Sequence, residues 1–338
     1  MKIGILLINL GTPDSPSTAD VKKYLREFLM DERVLDMNSF SRWCLVNLII
    51  APSRAPKSAK LYEKIWTKEG SPLLIHGIAL TEKLQQSLGN KYVVAFGMRY
   101  QKPSIQSALE KLRKEKVDKI IAIPLYPQYA SSSTGSTVAA LMNEFKKWEV
   151  TPSLEIISRF HHREEYLNAV LACAKDFNHT DFDHVLFSFH GLPERHIKKS
   201  DEHFGDGNCK FGACCEIPTE GNQYCYRANC VQTANSIASR LNIPKEKFTI
   251  SFQSRLGKDP WIKPYSDFEI IRLGKEGKKK ILAFSLAFVA DCLETIYEIG
   301  TEYNELFREH GGDKIQLVPA LNSREEWVEG LKKMIQSA

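Results

Sequence analysis

The chain has 338 residues, of which 43% are hydrophobic and 26% charged, and a formal net charge of +5. That length allows two medium domains or one large one, and the composition is that of a globular protein rather than a disordered or fibrous one. The basic residues are scattered, and the densest run, Lys275 to Lys280, reads as a solvated turn, so no nucleic-acid partner is expected.

The first residues, MKIGILLINLGTP, lack the charged start and small-residue cleavage site of a secretory leader. The longest apolar run, Ile281 to Ala290, is about half of a membrane span and reads as a buried strand. The expectation is a cytoplasmic protein, with any membrane association peripheral and at the inner face. Its eight cysteines are then reduced unless a metal holds them.

Short β-rich runs alternate with helical patterns, the signature of parallel sheets wrapped by helices. In chain order, strands are predicted near 2–8, 92–97, 119–125 and 154–158, with helices such as 103–116 and 135–148 between them. The second half repeats the scheme with strands near 184–189, 247–252, 280–285 and 314–318. A long helix over about 291–309 and a closing one over 323–336 follow.

The halves also match in detail, as a duplicated unit would. Leu10-Gly11-Thr12-Pro13 has its counterpart in His190-Gly191-Leu192-Pro193. Phe96-Gly97-Met98-Arg99 answers to Phe252-Gln253-Ser254-Arg255. Lys119-Ile120-Ile121-Ala122, running on to Ser133-Thr134, aligns without a gap on Lys280-Ile281-Leu282-Ala283, running on to Glu294-Thr295. Functional loops of parallel α/β sheets lie at the carboxyl ends of strands. Two such domains face to face would set an apolar, hydroxylated wall (Leu10, Ser133) against an ionisable one (His190, Glu294), which suits a large flat apolar ligand attacked from one side.

His190 ends the apolar strand Val185 to Phe189 at a Gly/Pro turn, where an imidazole can serve as a base or metal ligand at neutral pH. The plain alternative is a strand-end histidine bonded to backbone. Asp291, Glu294, Glu298 and Glu302 recur at helical spacing after the apolar run, on one predicted helix face. Such a row is ordinarily a solvated face, but at a strand-to-helix turn carboxylates can deliver a hard divalent cation or carry protons away. The run from Pro127 to Ser136 resembles a phosphate loop in composition without its Gly-Lys-Ser ending, so nucleotide binding is a weak reading.

Five cysteines crowd one segment: Cys209, Cys214, Cys215, Cys225 and Cys230. In a reducing compartment such crowding favours metal over disulfides. The Cys-x2-Cys pairs of zinc sites are absent, and four of these five thiolates would suit a [2Fe–2S] centre, with zinc and free thiols as the other readings. Cys44 and Cys173 read as buried packing, and Cys292 is isolated. Residues 40–54, an apolar patch with a Trp at one end and flanking arginines, fit either a membrane surface or a helix packed on the core.

Taken in order, LLINLGTP, KIWTKEGSPL, FGMRY, PLYPQYASSSTGS, FSFHGLPERH, FQSRLGKDPWIKP and FVADCLETIYEI resemble the ferrochelatases, and the match runs from Ile5 to about Glu302. The resemblance implies an α/β fold of two Rossmann-like domains with parallel sheets related by pseudo-two-fold symmetry, as in class II chelatases. It sets the domains at 1–155 plus 321–338, with the closing helix returning to the first, and at 156–320, carrying the histidine and the Cys-rich segment 203–230. It implies insertion of Fe²⁺ into protoporphyrin IX, with His190 and Glu294 at the metal, Asp291 beside them, and Glu298 and Glu302 along an acidic path. Leu10, Arg99, Tyr100, Tyr129, Ser133, Thr134 and Ser254 are the expected porphyrin pocket.

Many relatives have a histidine where this chain has Cys292. Leu10, in place of a tyrosine, is similar to the protoporphyrin-using branch. The segment Cys209 to Cys230 resembles a bacterial subgroup with an internal [2Fe–2S] cluster, and the patch around Trp43 corresponds to a membrane-facing lip. The alternatives are a chelatase for another metal or tetrapyrrole, and a non-catalytic iron–sulfur or haem-binding sensor.

Overall fold

A computed structural model describes every residue except Met1, Asp206, Asn208 and Lys258. The chain divides into two compact units. The first holds the chain up to Tyr126, Ser131–Arg159 and Asn322–Ala338, and the second holds Pro127–Ala130 and Phe160–Leu321.

Each unit is built on one four-stranded parallel sheet. In the first, β1 (Ile3–Gly11), β2 (Tyr92–Tyr100), β3 (Lys119–Pro124) and β4 (Ser153–Ile156) run in the order β2-β1-β3-β4. In the second, β5 (His184–His190), β6 (Phe248–Gln253), β7 (Lys280–Ser285) and β8 (Lys314–Leu317) run in the order β6-β5-β7-β8. The central strands read as near-continuous apolar runs because helices cover both faces of a parallel sheet. Leu6, Ile8 and Ile120 pack under Leu109, Leu112 and Leu141 in one unit, and Leu186 and Ile281 under Ile270, Ile299 and Phe307 in the other. The closing helix Glu325–Gln336 buries Trp327 and Leu331 in the first unit. Lys83 secures its start, donating to Ser323 O at 2.9 Å and to Glu325 at 2.7 Å.

The registers define the repeat more sharply than the sequence match. Ile8 faces Gly97 on one side and Pro124 on the other, as Ser188 faces Ser251 and Ser285. Leu10 therefore corresponds to His190, but Met98 corresponds to Phe252, not Ser254. The second sequence match is thus displaced by two residues. Hydrogen bonding agrees: Met98 N–H donates to Pro103 O at 2.6 Å, and Phe252 N–H to Pro264 O at 2.8 Å. The aligned Phe and Arg pairs were chance identities, since a period-2 strand repeats its apolar pattern at every shift of two.

Two elements depart from expectation. β7 ends at Ser285, as the strand predicted near 280–285 does, but the rest of the apolar run to Ala290 is not strand: Leu286 O accepts from Tyr166 O–H at 2.9 Å and Gln128 Nε2 at 3.2 Å. The helix expected over 291–309 is a π-helix, Leu293–Tyr303, followed by α-helix Asn304–Glu309, and Asp291 precedes it. Two further π-helices, Leu45–Ile50 and Ser131–Gly135, occur in the first unit. Such i→i+5 segments are rare and concentrate at functional sites.

Candidate functional site

The strand end that carries His190 is rigid for local reasons. Val185 to Phe189 are buried on both faces of the sheet. Gly191 stops the strand: its N–H donates to Gln253 O at 2.8 Å, and a Cβ there would lie 2.8 Å from that same oxygen and 3.0 Å from Trp261. Only glycine fits so close an approach. His190 itself is half-buried between the rings of Trp261 and Phe288. Its Nδ1 lies 2.6 Å from Gly191 O, and its own carbonyl accepts from Tyr226 O–H at 2.8 Å. A carbonyl only accepts, so Nδ1 carries the hydrogen and Nε2 of the neutral ring keeps its lone pair. The backbone bond that was the plain alternative for this histidine is thus present, and it is what orients the imidazole.

The acidic row does not behave as one face. Asp291 and Glu294 are half-buried at the start of the π-helix, Glu298 is half-buried within it, and Glu302 is exposed. Asp291 accepts from Thr295 O–H at 3.1 Å, and Thr295 also receives the Cys292 N–H at 3.0 Å. Cys292 is buried against Glu294, and burial followed by that carboxylate pushes its thiol well up. Glu298 is saturated: it accepts from Gln253 Nε2 at 2.9 Å, Ser254 N–H at 3.0 Å, Ser254 O–H at 2.5 Å and Tyr303 O–H at 2.9 Å. Burial and the Glu298 charge push the Tyr303 phenol up, so it stays a donor.

In the first unit, the expected pocket residues fall into two groups. Leu10, Arg99 and Ser133 are half-buried, as are Tyr129 and Ser254 in the second unit. Tyr129 belongs there because Pro127–Ala130 groups with that unit, where Tyr129 N–H donates to Asn229 at 3.3 Å. Tyr100 and Thr134, by contrast, have no exposed surface and present nothing to a ligand. The reason for Tyr100 is Asp31, which no sequence motif marks. Its carboxylate accepts from Arg99 Nη2 at 2.5 Å, Tyr100 O–H at 2.9 Å, Ser136 O–H and the Arg33 N–H. Burial opposes ionisation, but the Ser136, Arg33, Arg99 and Tyr100 contacts together hold the Asp31 carboxyl below its usual 3.8. An isolated Asp in a helix-ending turn gave no signal for this.

The five crowded cysteines are gathered unequally. The sulfurs of Cys214 and Cys215 lie 3.8 Å apart, and both Cys214 and Cys225 pack against the cluster around Cys215. A bond from the Cys215 thiol pulls Cys225 down, and the same bond, then burial, pushes Cys215 up. Cys209 is raised by burial and by the nearby Cys214 and Cys215. Cys230 is fully enclosed beside Tyr226, and burial raises it well above the usual thiol value. Among the described residues, no three His, Cys, Asp or Glu side chains are grouped closely enough to hold a metal ion. Of the remaining cysteines, Cys173 is buried as expected, whereas Cys44 is only half-buried.

The segment 40–54 exposes Phe40 (74%), Trp43 (49%), Leu48 (63%) and Ile49 (60%). Arg42 does not flank this patch as a surface cation: it is buried, donating to Leu35 O at 3.1 Å and Met37 O at 2.9 Å. None of the described helices is long and apolar enough to cross a membrane.

The ferrochelatase family model matches residues 2–338. The chain is 41% identical over 345 residues to a ferrochelatase of Coxiella burnetii strain Dugway, covering 100% of this chain and 94% of that one. It is 44% identical over 335 residues to a ferrochelatase of Legionella pneumophila strain Paris, covering 99% of each. Among solved structures, SirB from Bacillus subtilis with Fe³⁺ superposes with a TM-score of 0.53 at 12% identity, covering 100% of this chain and 95% of that one, a likeness of fold alone.

Proposed function

We propose how its residues divide the work, given that this chain belongs to the ferrochelatase family and is a lyase that inserts Fe²⁺ into protoporphyrin IX to form protohaem, with release of two protons. Insertion requires the two pyrrole N–H protons to leave and the nitrogen lone pairs to tilt out of the ring plane. Binding that bends the macrocycle toward a saddle does this, at a strain of about 1–5 kcal/mol drawn from apolar contacts. His190 takes a pyrrole proton at Nε2. Glu294, with Asp291 beside it, handles Fe²⁺ and the departing proton, and exposed Glu302 continues toward solvent.

The observation that carries this reading is the 2.6 Å contact between His190 Nδ1 and the Gly191 carbonyl, which leaves Nε2 as the basic nitrogen. The test is His190→Ala, assayed anaerobically with protoporphyrin and Fe²⁺ beside a metal-free porphyrin titration. Loss of insertion with retained porphyrin binding is expected, and retained turnover would defeat the assignment.

A resident [2Fe–2S] cluster is the second part of the proposal. The thiol type of Cys209, Cys214, Cys215 and Cys225 supports it, with the enclosed Cys230 as the spare. Among the described residues, however, no three of them are grouped closely enough to hold a metal ion, so binding would have to draw the four together. When bound, the cluster would supply a redox-active cross-link within the loop that leads into the helix Tyr226–Arg240, and its role is structural or regulatory because insertion transfers no electron. Iron and acid-labile sulfide in anaerobically purified protein test it: Cys225→Ser should lose both and Cys230→Ala keep both. The exposed Phe40, Trp43, Leu48 and Ile49 support peripheral contact with a membrane surface. Sedimentation with lipid vesicles, lost in Trp43→Ser/Ile49→Ser, checks that contact.

A further inference from the structure

Gln253 ends β6 directly opposite His190 in the sheet register, with 1% of its surface exposed. A buried primary amide needs partners for every donor and acceptor. Its Oε1 accepts from Ser188 O–H at 2.6 Å, while Nε2 donates to Glu294 O at 3.2 Å and Glu298 Oε2 at 2.9 Å. Flipping the amide would set oxygen against a carbonyl and a carboxylate, so this orientation is the one the surroundings permit. Its main-chain carbonyl holds the Gly191 N–H at 2.8 Å, next to His190. One side chain and its own backbone thus tie the strand end bearing His190 to the helix turn bearing Glu294.

Glu298 keeps Gln253 in place. An ionised carboxylate offers about four lone-pair sites, and Gln253, Ser254 twice and Tyr303 fill them. Ser254, held by two of these bonds, stands at φ +64°, a left-handed conformation that a non-glycine residue keeps only when its surroundings impose it.

We propose that Gln253 and Glu298 are positioning residues, a lock that sets the spacing of His190 and Glu294 for metal insertion, and that Glu298 is not a station on the route of the iron. The proposal rests on the roles given above to His190 and Glu294. Without the lock the Glu294 turn drifts relative to the imidazole, and a displacement of about 1 Å costs about 100-fold in rate.

The experiment compares Gln253→Glu, Glu298→Gln and the double exchange Gln253→Glu/Glu298→Gln, in full-length protein. It measures kcat, KM for Fe²⁺, KM for porphyrin, metal-free porphyrin affinity and the thermal midpoint. Gln253→Glu sets two carboxylates together and should lower kcat about 100-fold. Glu298→Gln should lower it about tenfold. Both KM values and porphyrin affinity should stay near those of the parent. The double exchange re-forms the bond between positions 253 and 298 with donor and acceptor reversed, though not the one to Glu294 O, and should recover part of the kcat lost in Gln253→Glu.

If Gln253→Glu fails to fold, Glu298→Gln still decides between the two readings. A raised KM for Fe²⁺ with retained kcat would make Glu298 an iron station and overturn the lock, as would strictly additive effects in the double variant. Glu294→Gln in the same assay should be inactive. If it turns over normally, the assigned roles and the lock fall together, whereas an inactive Glu294→Gln beside fully active Gln253→Glu and Glu298→Gln sinks the lock alone.

Discussion

The two units share a strand order and a register, and they differ at the same handful of positions. Where the first has Leu10, the second has His190, and where the first has Ser133, the second has Glu294. Each secures the end of its second strand with a partly buried acid: Asp31 for Arg99 and Tyr100, Glu298 for Gln253 and Ser254. The acids differ in what they neutralise. Asp31 pairs with a guanidinium, so its network carries no net charge. The hydrogen-bond donors of Glu298 are an amide, a main-chain N–H and two hydroxyls, all neutral, so its negative charge remains. The same scaffold thus carries a neutralised acid in one copy and an acid bonded only to neutral donors in the other, and under the roles proposed above the second would favour a dication.

The largest expected effect falls on the residue that most separates the copies. His190→Ala should lower the rate of insertion about 1000-fold, the range for loss of a positioned base, whereas Leu10→Ala in the equivalent place should chiefly weaken porphyrin affinity. Steady-state kinetics with metal-free porphyrin binding checks both.

Next come the two acids. Asp31→Asn leaves the half-buried Arg99 without its counter-ion and should cost about 3 kcal/mol of stability. Glu298→Gln keeps one of the two acceptor oxygens for neutral donors and should cost less, about 1–2 kcal/mol. Urea unfolding of both variants orders them, and an equal cost would erase the distinction drawn between neutral and charged networks. Because the Asp31 carboxyl is depressed in the folded state, its contribution is complete above the ordinary value of 3.8 and disappears as pH falls through the lower folded value.

A third contrast is titratable. His184 in β5 corresponds to Gly4 in β1. Burial pushes the His184 imidazole down to about 4, and its Nε2 lies 2.9 Å from Thr249 Oγ1. The folded state binds this proton less readily than the unfolded chain. Its contribution is therefore whole above pH 6.5 and is lost as pH falls toward 4, a swing of order 2–3 kcal/mol. The second unit should lose stability first as pH falls below 6.5, and His184→Gln should flatten that dependence by roughly 2 kcal/mol. A profile unchanged by the substitution would show that the imidazole binds its proton equally well in the folded and unfolded states.

The smallest effect compares two threonines at the same place in the repeat. Thr295 donates to Asp291, whereas the buried hydroxyl of Thr134 has no hydrogen-bond partner. Thr295→Val should cost about 1 kcal/mol, and Thr134→Val should be neutral or slightly stabilising, by up to about 1 kcal/mol. Thermal midpoints of the pair suffice.

Much of this was legible in the chain itself. Apolar runs bounded by turns located all eight strands within a few residues, because burial on both faces of a parallel sheet writes itself into composition. The Gly after His190 and the order of motifs were enough to place the imidazole at a strand end and to point to the ferrochelatase family.

What the tertiary structure alone decided depends on contacts between residues far apart in sequence. Asp31 meets Arg99, and Gln253 meets Glu298, only because parallel strands bring distant turns together, and no local pattern announces such a meeting. The π-helix at Leu293–Tyr303 is equally silent, since its hydrogen bonds differ from those of an α-helix while its side chains obey much the same spacing rule. Likewise Arg42, a surface cation by composition, is buried where two carbonyls of the preceding loop, at Leu35 and Met37, accept from its guanidinium.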